Sequence, residues 1–188
     1  VGTYLENESN EVKVLNNGKI LVAASNGVLL SEIDFDFAIV RYNSNGTLDS
    51  GFGTNGILLS DFNSVSNEAR SLQIQSDNKF IVAGKINGDA VSVNPNFAIA
   101  RYNENGSKDT SFGVNGLVSV NFGTVSNNLL LSEEGLECMK IQPDGKILAA
   151  GFTYEGNVIS NSTFGIVRLN SDGSLDTSFG VNGRIITD

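Results

Sequence analysis

Asn43, Asn45 and Asp49 stand around Gly46 at a spacing that could wrap a hard cation. With Gly46 as the sixth position of a calcium loop, they fill the third, fifth and ninth. Such a loop opens on a carboxylate. Here its first position is Arg41, and in two later copies of the string it is Arg101 and Arg168. A cation where the first ligand belongs points to a turn closed by an Arg–Asp pair, and no metal ligand is assigned. Asp34 with Asp36, and Glu133 with Glu134, are carboxylate pairs of the kind that hydrolyse glycosides. They lie in segments that differ between copies, and are read as solvated charges. The string Gly51-Phe52-Gly53-Thr54-Asn55-Gly56 resembles a phosphate loop superficially. No Lys-Ser/Thr follows it and no helix N-terminus is available to hold an anion, so no nucleotide site is assigned.

Composition narrows the chemistry further. The chain has no histidine, the commonest general acid/base and metal ligand. Ser-His-Asp, Cys-His and zinc-hydrolase mechanisms are thereby removed. One cysteine, Cys138, is too few for an internal disulfide or a Cys-based zinc site. It is expected as a small buried apolar residue. The expectation is a protein that is not an enzyme, with no catalytic residue and no cofactor. A net charge of −9 argues against nucleic acid and against an anionic membrane surface. No run approaches the ~20 apolar residues of a membrane span. No signal peptide is visible and the chain starts at Val1, as a cleaved precursor or an internal fragment would.

The elements that must position these residues come from a repeat. Phe37–Gly56, Phe97–Gly116 and Phe164–Gly183 are near copies at offsets of 60 and 67. Asn17-Gly18-Lys19, Asp77-Asn78-Lys79 and Asp144-Gly145-Lys146 keep the same offsets, and each Lys precedes its Phe by 18 residues. The repeats are 1–60, 61–120 and 121–188, the third with a seven-residue insertion near 128–134. The chain begins and ends at the same phase of the repeat.

Each repeat reads as four strands. Two apolar runs around Asn17-Gly18 or its copies predict a hairpin with a two-residue turn, setting Val14 opposite Leu21, Ile74 opposite Ile81 and Ile141 opposite Leu148 over a buried face. A second hairpin turns through three residues ending in Gly46, Gly106 or Gly173. That register sets Arg41 opposite Asp49, Arg101 opposite Asp109 and Arg168 opposite Asp176. Phe37, Ile39 and Arg41 share one face of their strand, and Ala38, Val40 and Tyr42 the other. Both faces are largely apolar, so the strand is interior and its Arg needs a partner, expected through two parallel hydrogen bonds. Phe-Gly-x-Asn-Gly (Phe52–Gly56, Phe112–Gly116, Phe179–Gly183) reads as a sharp corner anchored by Phe, followed by a last short strand. Ser25–Asp36, Lys85–Asn96 and Phe152–Thr163 join second strand to third and carry most of the individuality. Aromatics are sparse there (Phe35, Phe152, Tyr154), which weakens a carbohydrate-stacking site.

The blocks Asp144-Gly145-Lys146-Ile147, Phe97-Ala98-Ile99-Ala100-Arg101-Tyr102 and Ser174-Leu175-Asp176-Thr177-Ser178-Phe179-Gly180 resemble the delta-60 repeat, a β-propeller domain of unknown function. The resemblance covers almost the whole chain. It implies an all-β fold of tandem four-stranded antiparallel blades, in a large bacterial surface or secreted protein. Three blades are fewer than the ~4–8 of a closed propeller. A piece of a longer array is the favoured reading, with two chains forming one ring or an open stack as alternatives. The expected function is a non-catalytic structural or adhesive module outside the cell. The alternative is a ligand-binding propeller whose inter-strand loops recognise glycan or protein. Partners would be such a surface, or neighbouring repeats of the same or another chain.

Overall fold

The computed structural model describes residues 4–29, 33–60, 62, 66–87, 96–122, 135–154 and 162–187. They form three four-stranded antiparallel sheets, one per repeat. The first holds β1 (Tyr4–Val14), β2 (Ile20–Leu29), β3 (Ile33–Tyr42) and β4 (Ile57–Ser60), paired in sequence order. The second holds β5 (Ser66–Ile74), β6 (Phe80–Asn87), β7 (Asn96–Tyr102) and β8 (Leu117–Val120). The third holds β9 (Gly135–Ile141), β10 (Ile147–Tyr154), β11 (Ser162–Leu169) and β12 (Arg184–Thr187). The insertion near 128–134 lies outside the described residues. The segment 25–36, expected as a connection, is largely strand: β2 runs to Leu29 and β3 starts at Ile33.

Each sheet has a forward face, toward the next repeat, and a rear face. Alternation along the strands fixes which residues belong to which. Leu21, Ala23, Phe37 and Ile39 of the first forward face pack with Phe80, Val82, Ala98, Ala100 and Tyr102 of the second rear face. Ile81, Ala83, Phe97 and Ile99 of the second forward face pack with Ile147, Ala149, Val167 and Leu169. The core is therefore two layers between three sheets. The interior strand β7 is buried on both faces from Phe97 to Tyr102, as two apolar faces require. Inside the first layer the Tyr102 hydroxyl donates to Ser60 Oγ at 2.6 Å. Burial pushes the Tyr102 phenol up to about 12, although the Ser60 bond acts in the opposite direction.

The first hairpin corrects the sequence reading. Val14 pairs with Ile20, Ile74 with Phe80 and Ile141 with Ile147, one residue from the expected register. Leu15 N donates to Lys19 O at 2.8 Å, so the loop is three residues long. A two-residue type I′ turn needs two residues at positive φ. Here only the last loop residue has it, Gly18 at 79°, Asn78 at 64° and Gly145 at 82°. Asn17 Oδ1 meanwhile accepts the Lys19 amide at 3.1 Å, and Asp77 and Asp144 do the same for Lys79 and Lys146. One residue of slip exchanges the faces of a strand. Val14 accordingly lies on the uncovered rear face, exposed, while Leu21 is buried on the forward face. A bulge recurs in each first strand, leaving Asn10, Arg70 and Glu137 outside the ladder.

Cys138 is exposed, not buried. The bulge at Glu137 and the next step of the strand put Met139 into the core and Cys138 on the third forward face. Among the described residues no further sheet packs on that face.

Tyr102→Phe tests the polar link between sheets. It leaves the buried Ser60 hydroxyl without its donor, and an unfilled buried polar group costs about 1–3 kcal/mol. Urea unfolding should show a loss in that range. A neutral substitution would mean that the bond contributes nothing net.

Candidate structural charge site

Each second hairpin is a three-residue turn, as its register predicts. Tyr42 pairs with Leu48, Tyr102 with Lys108 and Leu169 with Leu175. Gly46 N donates to Asn43 O at 2.9 Å, and Gly46 sits at φ 85°. Asp49 N donates to Arg41 O at 2.9 Å, with the same bond from Asp109 to Arg101 and, at 3.0 Å, from Asp176 to Arg168. The side chains meet on that frame. Arg41 Nε lies 2.7 Å from Asp49 Oδ2, Arg101 Nε 2.8 Å from Asp109 Oδ2, and Arg168 Nε 2.7 Å from Asp176 Oδ2. Arg41, Asp49, Arg101, Asp109 and Asp176 are buried, and Arg168 is half-buried.

The expected fork of two parallel bonds is absent, because the other atoms have other partners. Asp109 Oδ1 accepts from the Ser111 amide at 3.1 Å and its hydroxyl at 2.7 Å. Asp176 is held likewise by Ser178, and Asp49 Oδ1 accepts the Gly51 amide. Arg41 Nη1 donates to the Glu104 carbonyl of the next sheet's turn, and Arg101 Nη1 to the Ser171 carbonyl at 2.6 Å. One arginine thus closes its own hairpin and grips the next.

Two further groups complete the site. A lysine from the first hairpin reaches the same carboxylate oxygen: Lys19 Nζ at 2.7 Å from Asp49, Lys79 and Lys146 at 2.8 Å from Asp109 and Asp176. Each guanidinium also lies over the anchoring ring, Arg41 at 4.2 Å from the Phe52 centroid, Arg101 at 4.6 Å from Phe112 and Arg168 at 4.5 Å from Phe179. Sequence reasoning missed the lysines. Their signal was a constant separation of 30 residues from the aspartate. The anchoring corner has Gly56 N donating to Phe52 O at 2.8 Å and Arg41 N donating to Gly56 O at 2.9 Å. The corner therefore positions ring and arginine together.

Hydrogen bonds and charge set the carboxylates' protonation. The Lys19 ammonium and then Arg41 hold Asp49 below the usual carboxylate range, against some burial. Burial alone would raise Asp109, but Lys79, Ser111 and Arg101 hold it well below that range. Lys146, Ser178 and Arg168 do the same for Asp176.

The other candidate donors are engaged in turns. Asn45 Oδ1 accepts from the Thr47 amide at 3.1 Å and its hydroxyl at 2.7 Å, and Asn43 Nδ2 donates to Thr47 Oγ1 at 3.1 Å. Among the described residues, no three acidic or cysteine side chains converge as metal ligands. Asp36 is half-buried, Glu133 and Glu134 lie outside the described residues, and no side-chain position is described for Asp34, Phe35 or Tyr154. Phe152 is half-buried on β10, within strand and not in a loop.

Four-stranded antiparallel sheets packed face to face in chain order define β-propeller-type blades. The family described as a domain of unknown function (DUF5122) beta-propeller matches residues 15–52, 75–112 and 142–179, over half the chain. The protein belongs to that beta-propeller family. Each match begins just before the first turn and ends at the anchoring Phe, so it contains the Lys, Arg, Asp and Phe of one charge site. A comparison with curated proteins finds no match.

Two predictions test the site. Arg101→Met and Asp109→Asn should each cost about 3–5 kcal/mol, Lys79→Met at most about 1 kcal/mol. The Arg101–Asp109 cycle should give coupling above about 1 kcal/mol, and additivity would show that the two act independently. The second concerns pH. The folded aspartates titrate below their unfolded value near ~3.9, so their stabilisation is complete above that value. It is lost as pH falls toward the folded values. Thermal unfolding should therefore show a steep decline below about pH 4 that Asp109→Asn flattens. An unchanged acid slope in that variant would contradict the assignment.

Proposed function

We propose that this chain is a non-catalytic structural or adhesive β-propeller module of a bacterial cell-surface or secreted protein, of the delta-60 repeat type. The observation that carries the reading is where the repeated charged residues go. Lys19, Arg41 and Asp49 bind one another, as do their two sets of copies, and Arg41 and Arg101 also bind the neighbouring turn. A charged set spent on its own hairpin in every repeat, and on joining blades in two of them, presents no acid, base or nucleophile to a substrate. The outward surface and the segments between second and third strands are then the parts that meet a partner, a protein or glycan surface. Nucleic acid and membrane insertion do not suit a chain of net charge −9 without a long apolar run.

Antibody labelling of intact and permeabilised source cells tests the location. Labelling of intact cells, lost after external protease, is the expected result. Labelling confined to permeabilised cells would overturn the surface role. Saturable binding of one glycan on an array, abolished by changes within 88–95 or 155–161, would instead make the protein a ligand-specific propeller.

A further inference from the structure

The forward face of the third sheet and the rear face of the first have the composition of buried blade faces, yet among the described residues no sheet covers either. Phe37 and Phe97 are fully buried, whereas their counterpart Phe164 is 70% exposed. Leu72 and Met139 are buried, whereas their counterpart Val12 is 59% exposed. An apolar cavity of about 350 Å³ opens on the third face, lined by Cys138, Ala150, Phe152, Phe164 and Ile166 among others. We propose that these faces are the two halves of one further blade interface. A second copy of this chain fills both, head to tail, in a ring of two chains.

The occupant follows from continuity with the two interfaces inside the chain, position by position. The first position is a ring over a glycine. A Cβ on Gly106 would stand 2.8 Å from the Phe52 ring, and one on Gly173 3.0 Å from Phe112. Around Gly46, the corresponding glycine of the first sheet, nothing lies within 4 Å. Phe179, the corresponding ring of the third, is only half-buried, while Phe52 and Phe112 are fully so. The open socket and the spare ring belong to opposite ends of the chain.

The second position is the arginine grip. Arg41 donates to the Glu104 carbonyl and Arg101 to the Ser171 carbonyl. The repeat makes Ser44, on the first sheet's turn, the corresponding acceptor for Arg168.

The third position distinguishes this chain's own ends from any generic blade. Tyr102 OH meets Ser60 across the first layer. Across the second layer the counterparts are Leu169 and Val120, and both are apolar and buried. The remaining pair is Tyr42 and Thr187, a phenol and a hydroxyl again. The two sides change together, so the third sheet's last strand suits the first sheet's tyrosine. Two chains of three sheets give six blades, within the ~4–8 of closed propellers. Joining unlike faces head to tail also allows closure, which leaves neither face exposed.

Light scattering on the whole chain, with Phe164→Asp and Val12→Asp, tests this. Both residues are exposed in the single chain, so neither change disturbs its core. Expected are twice the 19.9 kDa chain mass for the wild type and one chain mass for each variant alone. An equimolar mixture of the variants should regain the double mass, because one intact pair of faces remains between them. Cys138, covered in the ring, should react more slowly with a maleimide in the associated wild type than in either variant. A wild type that stays at one chain mass, a polymer that grows with concentration, or a dimer that survives either variant would each overturn the proposal. So would a monomer that binds only an appended fourth repeat, or only a small apolar molecule in the cavity.

Discussion

One guanidinium with several engagements organises this protein. Arg101 gives its Nε to Asp109, its Nη1 to the Ser171 carbonyl of the next sheet, and its plane to Phe112. The first contact closes a hairpin, the second joins two sheets and the third fixes the corner that starts the last strand. Arginine is suited to this because its planar fork directs several donors at once. Buried charge is costly unless satisfied. Each guanidinium is balanced by an aspartate that a lysine also holds, at the edge of the layer where the lysine keeps contact with water. The apolar layers supply the bulk of the association, and the arginines set the register between neighbouring sheets.

Much of this was legible in the residues. Offsets of 60 and 67 located the repeats, and the Asn-Gly and Asp-Gly signals located the turns. The eight-residue Arg-to-Asp separation sufficed for the second hairpin, because a three-residue turn ending in glycine sets its register uniquely. The first hairpin was misjudged by one residue because Asn17-Gly18 fits both a type I′ turn and the last two residues of a three-residue loop. What separates them is whether Asn17 joins Gly18 at positive φ, and asparagine is among the few residues that tolerate that region.

The charge site was half legible. Opposed residues across a strand pair can be read from spacing, but Lys19 comes from a different hairpin, so the register of the second hairpin does not indicate its approach to Asp49. The second bonds of Arg41 and Arg101 cross to another sheet, so no pattern within one repeat indicates them. Cys138 went wrong for a related reason. Its composition suggests a core residue, and its position is one where the next sheet would lie.

The account rests on the claim that one arginine couples its own hairpin to the neighbouring sheet. Native-state hydrogen exchange in Arg101→Lys addresses it directly. Lysine keeps the charge near Asp109 but loses the fork that reaches Ser171. The amide of Asp109, bonded to Arg101 O, reports on the hairpin, and that of Gly173, bonded to Asn170 O, reports on the next turn. The account predicts that both lose protection together. Loss at Asp109 with Gly173 unchanged would show that the grip between sheets contributes nothing, and the account would be wrong.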